Sequence, residues 1–355
     1  MPSFKISSSE FTFLLLSSIG LLIAMLGGLI LPLRFLADVP TILKQTPGLK
    51  GSYAFTSWFY NVLTPLGKLP LIIVGFIQFL TAIFILKKIG IPKKFHIINL
   101  KNSITYFSFF ILGIFLCMPT KEYINFIYIY IIIILYLKSK KTLLKKKISS
   151  LCLILFFGFF FRPYYLLIGF LMIFFSFFNK LKLKNKRFNS LSFALVIMIG
   201  ISLSYGVIKG KYMTVETREE VNIERMKREN VNTVILSPVK VDNWYDEGIS
   251  ILYGFFTVNI PFNGFKHFLS PHILGFIIWE IFLFILLYFE YNKSIKNEIF
   301  YQNKWLFYFL FSFLIAQGVF EPDLGSAVRH KAGIFPLIYY LLYYRNFDSK
   351  RYNIK

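Results

Sequence analysis

Apolar residues in this chain come in long uninterrupted runs, separated mostly by short polar stretches rich in lysine. Ten runs stand out: 11–32, 70–86, 103–119, 123–137, 149–161, 164–178, 191–208, 272–289, 305–320 and 332–344. A helical membrane span needs about 20 residues, or about 17 at the short limit. The first, seventh and eighth runs meet that length unaided. The pair 149–161 and 164–178 does not, yet joined it would make a helix of about 45 Å, too long for one untilted crossing. A tight hairpin or a re-entrant loop turning at Arg162-Pro163 fits better, and either returns the chain to the side it entered. The pattern predicts an all-α polytopic membrane protein with about ten transmembrane segments, and residues 1–355 forming one integral membrane domain.

Charge fixes the expected orientation. The chain carries 40 basic and 17 acidic residues, a formal charge of +23. In a soluble protein such an excess would point to nucleic acid. Here the mean hydropathy of +0.61 and the placement of the lysines in short loops point instead to the positive-inside rule, and no nucleic-acid partner is expected. With the N-terminus inside, the inner segments hold 24 of the 40 basic residues and four acids, net +20. The outer segments hold 16 basic residues and 12 acids, net +4. Both termini are therefore expected in the cytoplasm. Cys117 and Cys152 fall in runs near opposite faces, where a disulfide or metal site would not form.

Two outer loops are large. Residues 33–69 carry three prolines and an aromatic patch of Tyr53, Phe55, Trp58, Phe59 and Tyr60. Such a patch beside a span suits an interfacial helix at headgroup level. Residues 209–271 open with a polar helical stretch, Thr214 to Asn230, and return through the apolar stretch Ile249 to Phe268, read as a second interfacial helix or a shallow re-entrant segment. Neither loop has the bulk of an independent domain.

The outer face also gathers cations. Lys121-Glu122 sits between the third and fourth runs, Arg162 at the short hairpin, Arg218 and Arg225 seven residues apart on a helix, and Arg329-His330-Lys331 before the last run. Arginine's planar fork pairs bidentately with phosphate oxygens, so an outward cationic cavity suits a phosphate or pyrophosphate ester. Each residue also has a plainer reading. Arg162 could snorkel from a helix end. Arg218 and Arg225 could take part in surface salt bridging along a charged helix on which Glu216, Glu220, Glu224 and Arg228 recur at spacings of four. Lys121-Glu122 could mark a helix start, Glu280 could pair inside the bundle, and Gly325-Ser326 could make a tight turn or a close backbone approach.

The run Gly325-Ser326-Ala327-Val328-Arg329-His330-Lys331, before a last segment with Pro336, resembles a late outer motif of bacterial surface-polysaccharide repeat-unit polymerases (Wzy-like). Pro119-Thr120-Lys121-Glu122 is similar to their Pro-Ser-Lys-Glu hairpin, with threonine in the serine place, and Arg162-Pro163-Tyr164 to their Arg-Pro turn. Arg218, on a helix after a mid-chain span, also fits. The likeness covers short pieces between about 119 and 336.

The resemblance implies glycosyl transfer on the outer face of a bacterial inner membrane. Donor and acceptor would be undecaprenyl-pyrophosphate-linked glycans, with membrane lipids and a chain-length regulator as further partners. Arg162, Arg218, Arg225, Arg329, Lys331 and Lys121 would bind the pyrophosphate, and Glu122 or His330 would accept the acceptor's proton. No metal or other cofactor is expected.

Rival readings stay open. A GT-C-type transferase usually carries paired acids in the first outer loop, where this chain has Asp38 alone. An O-antigen ligase would show a larger outer loop than 209–271. A lipid-linked oligosaccharide flippase would place charges at several depths through the bundle, where Glu280 is the one mid-run charge.

Overall fold

In a computed structural model, the described residues are 6–36, 38–139, 142–178, 186–227, 233–296 and 303–347. They are nearly all helical, and no strand forms among them beyond an isolated antiparallel bridge between Val234 and Asp323. In chain order the helices are α1 (Ser8–Ile30), α2 (Leu33–Leu36), α3 (Asp38–Lys44), α4 (Ser52–Trp58), α5 (Leu71–Ile89), α6 (Leu100–Phe115), α7 (Lys121–Lys138) and α8 (Leu143–Phe160). There follow α9 (Tyr164–Phe178), α10 (Lys186–Lys209), α11 (Glu220–Met226), α12 (Trp244–Asn259), α13 (Pro271–Lys296), α14 (Lys304–Phe320), α15 (Leu324–Gly333) and α16 (Phe335–Tyr343).

Four of these contain stretches long and apolar enough to cross a membrane: Ser8–Ile30, Leu71–Ile89, Ser190–Lys209 and Pro271–Ile295. Shorter apolar helices cover Leu100–Phe115, Tyr164–Phe178 and Lys304–Phe320. The chain is thus built as an α-helical membrane protein. Both chain ends, residues 1–5 and 348–355, lie outside the described residues, as does Arg228.

The helices cluster into two compact units, Met1–Pro163 with Arg329–Lys355, and Tyr164–Val328. In the first, α1 packs along α5 and α6, with Phe13 of α1 edge-on to Phe109 of α6 at 5.5 Å. A reciprocal capping box starts α1: the Glu10 N–H donates to Ser7 Oγ and the Ser7 N–H to Glu10 Oε2, at 3.2 and 3.0 Å. Antiparallel to α7 runs α8, joined to it by the Tyr128 hydroxyl donating to Leu153 O at 2.8 Å and by Tyr128 stacked on Phe157 at 4.1 Å.

The expected last span, 332–344, is broken. Its helix stops at Gly333 and restarts as α16, nine residues that are all buried. Pro336 explains the break, since it sits in the first turn of α16 and has no N–H to continue a preceding helix. α16 packs on α5 and α7 and ends beside the 87–102 connection, with the Tyr339 hydroxyl donating to Gly90 O at 2.8 Å and the Tyr343 hydroxyl to Asn102 Oδ1 at 2.7 Å.

In the second unit, α12 packs on α10 and α14. The stretch expected as an interfacial helix, Ile249 to Phe268, is here the body of α12 and a 3-10 turn at Phe262–His267. One face of α12 is buried because glycines permit a close crossing: a Cβ on Gly254 would stand 2.0 Å from Gly318 O of α14. The helix-period pattern of this stretch is therefore a packing face.

Candidate functional site

In the first unit, segments distant in sequence meet around Glu122. Thr120 caps α7, its Oγ1 accepting from the Tyr123 N–H at 3.3 Å. Lys121 and Glu122 thus form the first turn of a helix, at the start of α7 and ahead of the apolar run 123–137, as the plainer reading of the pair had it. Glu122 is 1% exposed. A carboxylate there is favoured by the positive end of the helix dipole. Gly333, at the end of α15, allows close contact with this turn: its Cβ would lie 2.9 Å from Asn125 Nδ2 and 3.4 Å from Glu122 Cα.

Three side chains converge on one oxygen of Glu122. Arg162 Nη2 donates to Oε1 at 2.8 Å, His330 Nε2 stands 3.4 Å from it and Arg329 Nε 3.8 Å. Burial opposes the charge on Glu122, but Arg329, Arg162, His330 and Lys121 outweigh it and hold the carboxyl well below its usual range. Arg162 is itself 4% exposed, beside the Phe161 ring at 5.6 Å. This buried arrangement is unlike a snorkelling arginine.

A second carboxylate closes the cluster. Arg329 Nη1 donates to Asp38 Oδ2 at 2.7 Å, and Lys121 Nζ lies 3.7 Å from the same oxygen. The Tyr53 hydroxyl donates to Asp38 Oδ1 at 3.1 Å, and Lys121 Nζ sits over the Tyr53 ring at 3.7 Å. Burial raises the Asp38 carboxyl, and Arg329 and Lys121 more than reverse it, leaving it below its usual value. Lys121 is lowered to about 8, chiefly by burial, with Asp38 and Glu122 pulling back. Burial and Asp38 raise Tyr53 to about 12, so it remains a donor.

The cluster therefore holds three cations, Lys121, Arg162 and Arg329, against two carboxylates, with His330 adding charge when protonated. Arg162 and Glu122 form its buried floor, while Arg329, His330 and Asp38 are half-buried at its open edge. An excess of convergent donors beside an accessible edge is suited to an anionic oxygen ligand. Lys331, also on α15, is buried.

Asp38 and Tyr53 were noted in the sequence, but neither as a site residue. Their signals were faint: one acid in a long loop that otherwise bears cations, and one tyrosine in an aromatic patch.

Arg218 and Arg225 belong to the second unit. Arg218 is fully buried in a widened π-type turn, Val215–Glu219. Its Nη1 donates to Gly318 O at 2.9 Å, and its Nη2 to Ser250 O at 3.2 Å and to Ser250 Oγ. The extra residue in that turn shifts the helical register between Arg218 and Arg225, seven residues apart. Arg225 pairs with Asp323, which also caps α15 by accepting from the Ser326 N–H at 2.7 Å. Gly325-Ser326 is accordingly a helix start and not a tight turn. The expected surface pairing at spacings of four is replaced by longer links, Tyr205 to Glu216 at 2.6 Å and Lys211 to Glu220 at 2.8 Å. Arg218 and Arg225 thus support packing within their unit. Glu280 is buried in α13.

Among the described residues no group of three or more His, Cys, Asp and Glu side chains could hold a metal ion. Cys117 and Cys152 are free thiols. Comparison of the chain with known protein families, curated proteins and solved structures found no match.

Proposed function

We propose that this chain is a membrane glycosyltransferase that joins lipid-linked oligosaccharide units into a surface polysaccharide. In this reading it is a multi-pass protein of a bacterial inner membrane, one integral domain with about ten membrane segments and cytoplasmic termini, and its reactive cluster faces outward. Donor and acceptor are undecaprenyl-pyrophosphate-linked glycans. The observation that carries the proposal is the convergence of Lys121, Arg162, Arg329 and His330 on Glu122 and Asp38.

In the reaction, an acceptor hydroxyl attacks the anomeric carbon of the donor's terminal sugar. The bond from that carbon to the pyrophosphate oxygen breaks, and the lipid pyrophosphate leaves with the electron pair. Negative charge grows on the leaving oxygens, so pre-placed guanidinium groups bind the transition state more tightly than the ground state. Arg329, at the open edge, is the first candidate to meet them. The acceptor's proton passes to His330, whose imidazolium Glu122 stabilises from 3.4 Å. Glu122 itself is a poorer proton acceptor, because its neighbours hold it as a stable carboxylate.

The test is the lipid-linked glycan of a strain lacking its own copy. The proposal expects single repeat units exposed on the outer face, and long chains on complementation. Units trapped on the inner face would instead mark a flippase and overturn it.

A further inference from the structure

Of the aromatic patch Tyr53, Phe55, Trp58, Phe59 and Tyr60, Tyr60 is the one member that is fully buried. Its hydroxyl closes over both backbone polar groups of Thr120, the cap of α7. It accepts from the Thr120 N–H at 3.1 Å and donates to Thr120 O at 3.2 Å. Burial pushes the hydroxyl well above the ordinary tyrosine value, so it keeps the proton it donates. Thr120 is buried too, and a buried backbone N–H needs an acceptor. Its Oγ1 also donates to Phe115 O, at the end of α6, at 3.4 Å. The local fold aims Tyr60 at this cap. Phe59–Leu63 is a widened π-type turn, closed by the Thr64 N–H and Oγ1 donating to Phe59 O at 2.9 and 2.8 Å. Asn61 Nδ2 donates to Leu43 O at 3.3 Å and Ser57 Oγ to Gln45 O at 2.6 Å, anchoring the turn to the end of α3. Phe59 stands edge-on to Tyr60 at 5.2 Å and to Tyr123 at 6.1 Å, which seats the ring against the first turn of α7.

We infer that Tyr60 is a positioning residue: through Thr120 it sets where Lys121 and Glu122 stand against Arg162 and His330. The inference rests on the reading of that cluster as a reaction centre. Lys121 and Glu122 directly follow Thr120, so any rotation of the cap carries them with it. Glu122 Oε1 is 3.4 Å from His330 Nε2, already at the long end of hydrogen-bond reach, and a small shift of the cap separates them. Arg329 is placed independently, by α15 and by its bond to Asp38. Tyr60→Phe keeps the ring and its contacts with Phe59, so the turn keeps its packing. It leaves the Thr120 N–H buried without this acceptor, and the cap must move to find another. Loss of the hydroxyl therefore acts on the proton-accepting side of the cluster and spares Arg329.

The test compares Tyr60→Phe with Tyr343→Phe. The second removes a comparable buried hydroxyl at the other end of α6, bonded to Asn102 Oδ1 at 2.7 Å and Thr105 Oγ1 at 3.0 Å. The full chain in vesicles is given single lipid-linked units extracted from the strain lacking its own copy, and kcat and KM for joining are measured per folded protein. Tyr60→Phe should lower kcat at least about tenfold with KM within about twofold, while Tyr343→Phe lowers the unfolding temperature by a similar amount and keeps kcat. A second readout needs no turnover: in intact membranes His330 should react several-fold faster with diethyl pyrocarbonate in Tyr60→Phe than in Tyr343→Phe, because Glu122 no longer covers Nε2. Equal kcat in the two variants, or equal His330 rates, reduces the Tyr60 bonds to fold support and overturns the inference. A raised KM with kcat kept overturns it as well. A natural sequence that joins no units is a failure of the cluster reading itself, and the inference falls with it.

Discussion

Arg329 Nη1 donates to Asp38 Oδ2 at 2.7 Å, tying together residues 291 positions apart. This ion pair brings the loop after α1 against the end of α15, and both against the first turn of α7. It lies at the open edge of the cluster. The pair below it, Arg162 to Glu122 at 2.8 Å, is buried.

That difference in depth predicts different costs on mutation. Removing one partner of a buried ion pair leaves the other unpaired and costs about 3–5 kcal/mol. Arg162→Ala and Glu122→Ala should therefore sharply lower thermal stability in detergent. Asp38→Ala, acting on a partly exposed pair that also serves Lys121 and Tyr53, should cost less, about 1–3 kcal/mol. Intrinsic tryptophan fluorescence on heating ranks the three variants.

Lys121 predicts a pH dependence. Its ammonium, lowered to about 8, loses its proton as pH rises through that value, and the cluster then loses one positive charge. Affinity for inorganic pyrophosphate should fall between pH 7 and 9, and Lys121→Arg should flatten the fall. The shift has a stability side of definite sign. An unfolded lysine keeps its proton to about 10.4, so between about 8 and 10 the unfolded chain binds more protons. The charged, buried lysine is a penalty below pH 8, and its contribution to stability improves as pH rises through that window. Binding and stability should therefore move in opposite directions, a pattern that general alkaline unfolding would not give.

Close helix crossing in the second unit gives a prediction independent of function. A Cβ at Gly254 would stand 2.0 Å from Gly318 O and 2.1 Å from Arg218 Nη1. Gly254→Ala must push apart α12 and α14 and disturb the buried guanidinium, at a cost of about 1–3 kcal/mol or more. Gly200 of α10 has open space around its Cβ position, and Gly200→Ala should be neutral or stabilising by about 0.5–1 kcal/mol. Folded yield on size-exclusion chromatography separates the two.

Much of the helical layout was legible because apolar runs announce membrane helices. The breaks at Arg162-Pro163 and near Pro119 fall where proline removes a donor and constrains its neighbour. Cations of the first unit were visible as charges beside apolar runs. Their carboxylate partner Asp38 was not, because a single acid in a loop has no periodicity and its meaning comes from tertiary contact with Arg329. The widened turn holding Arg218 was equally hidden: a π-type insertion changes which residues share a face without changing composition. The full burial of α16 within the protein was hidden because burial in protein and burial in lipid select the same residues.

The central claim is that Arg329 acts on a lipid-pyrophosphate leaving group during chain growth. Purified protein reconstituted in vesicles would be given lipid-pyrophosphate-linked repeat units, and the products resolved by size. A ladder of joined units is predicted for the natural sequence, with formation slowed at least about 10²-fold in Arg329→Ala although the variant stays folded. No ladder from the natural sequence, with the same units carried across the bilayer, would contradict the account.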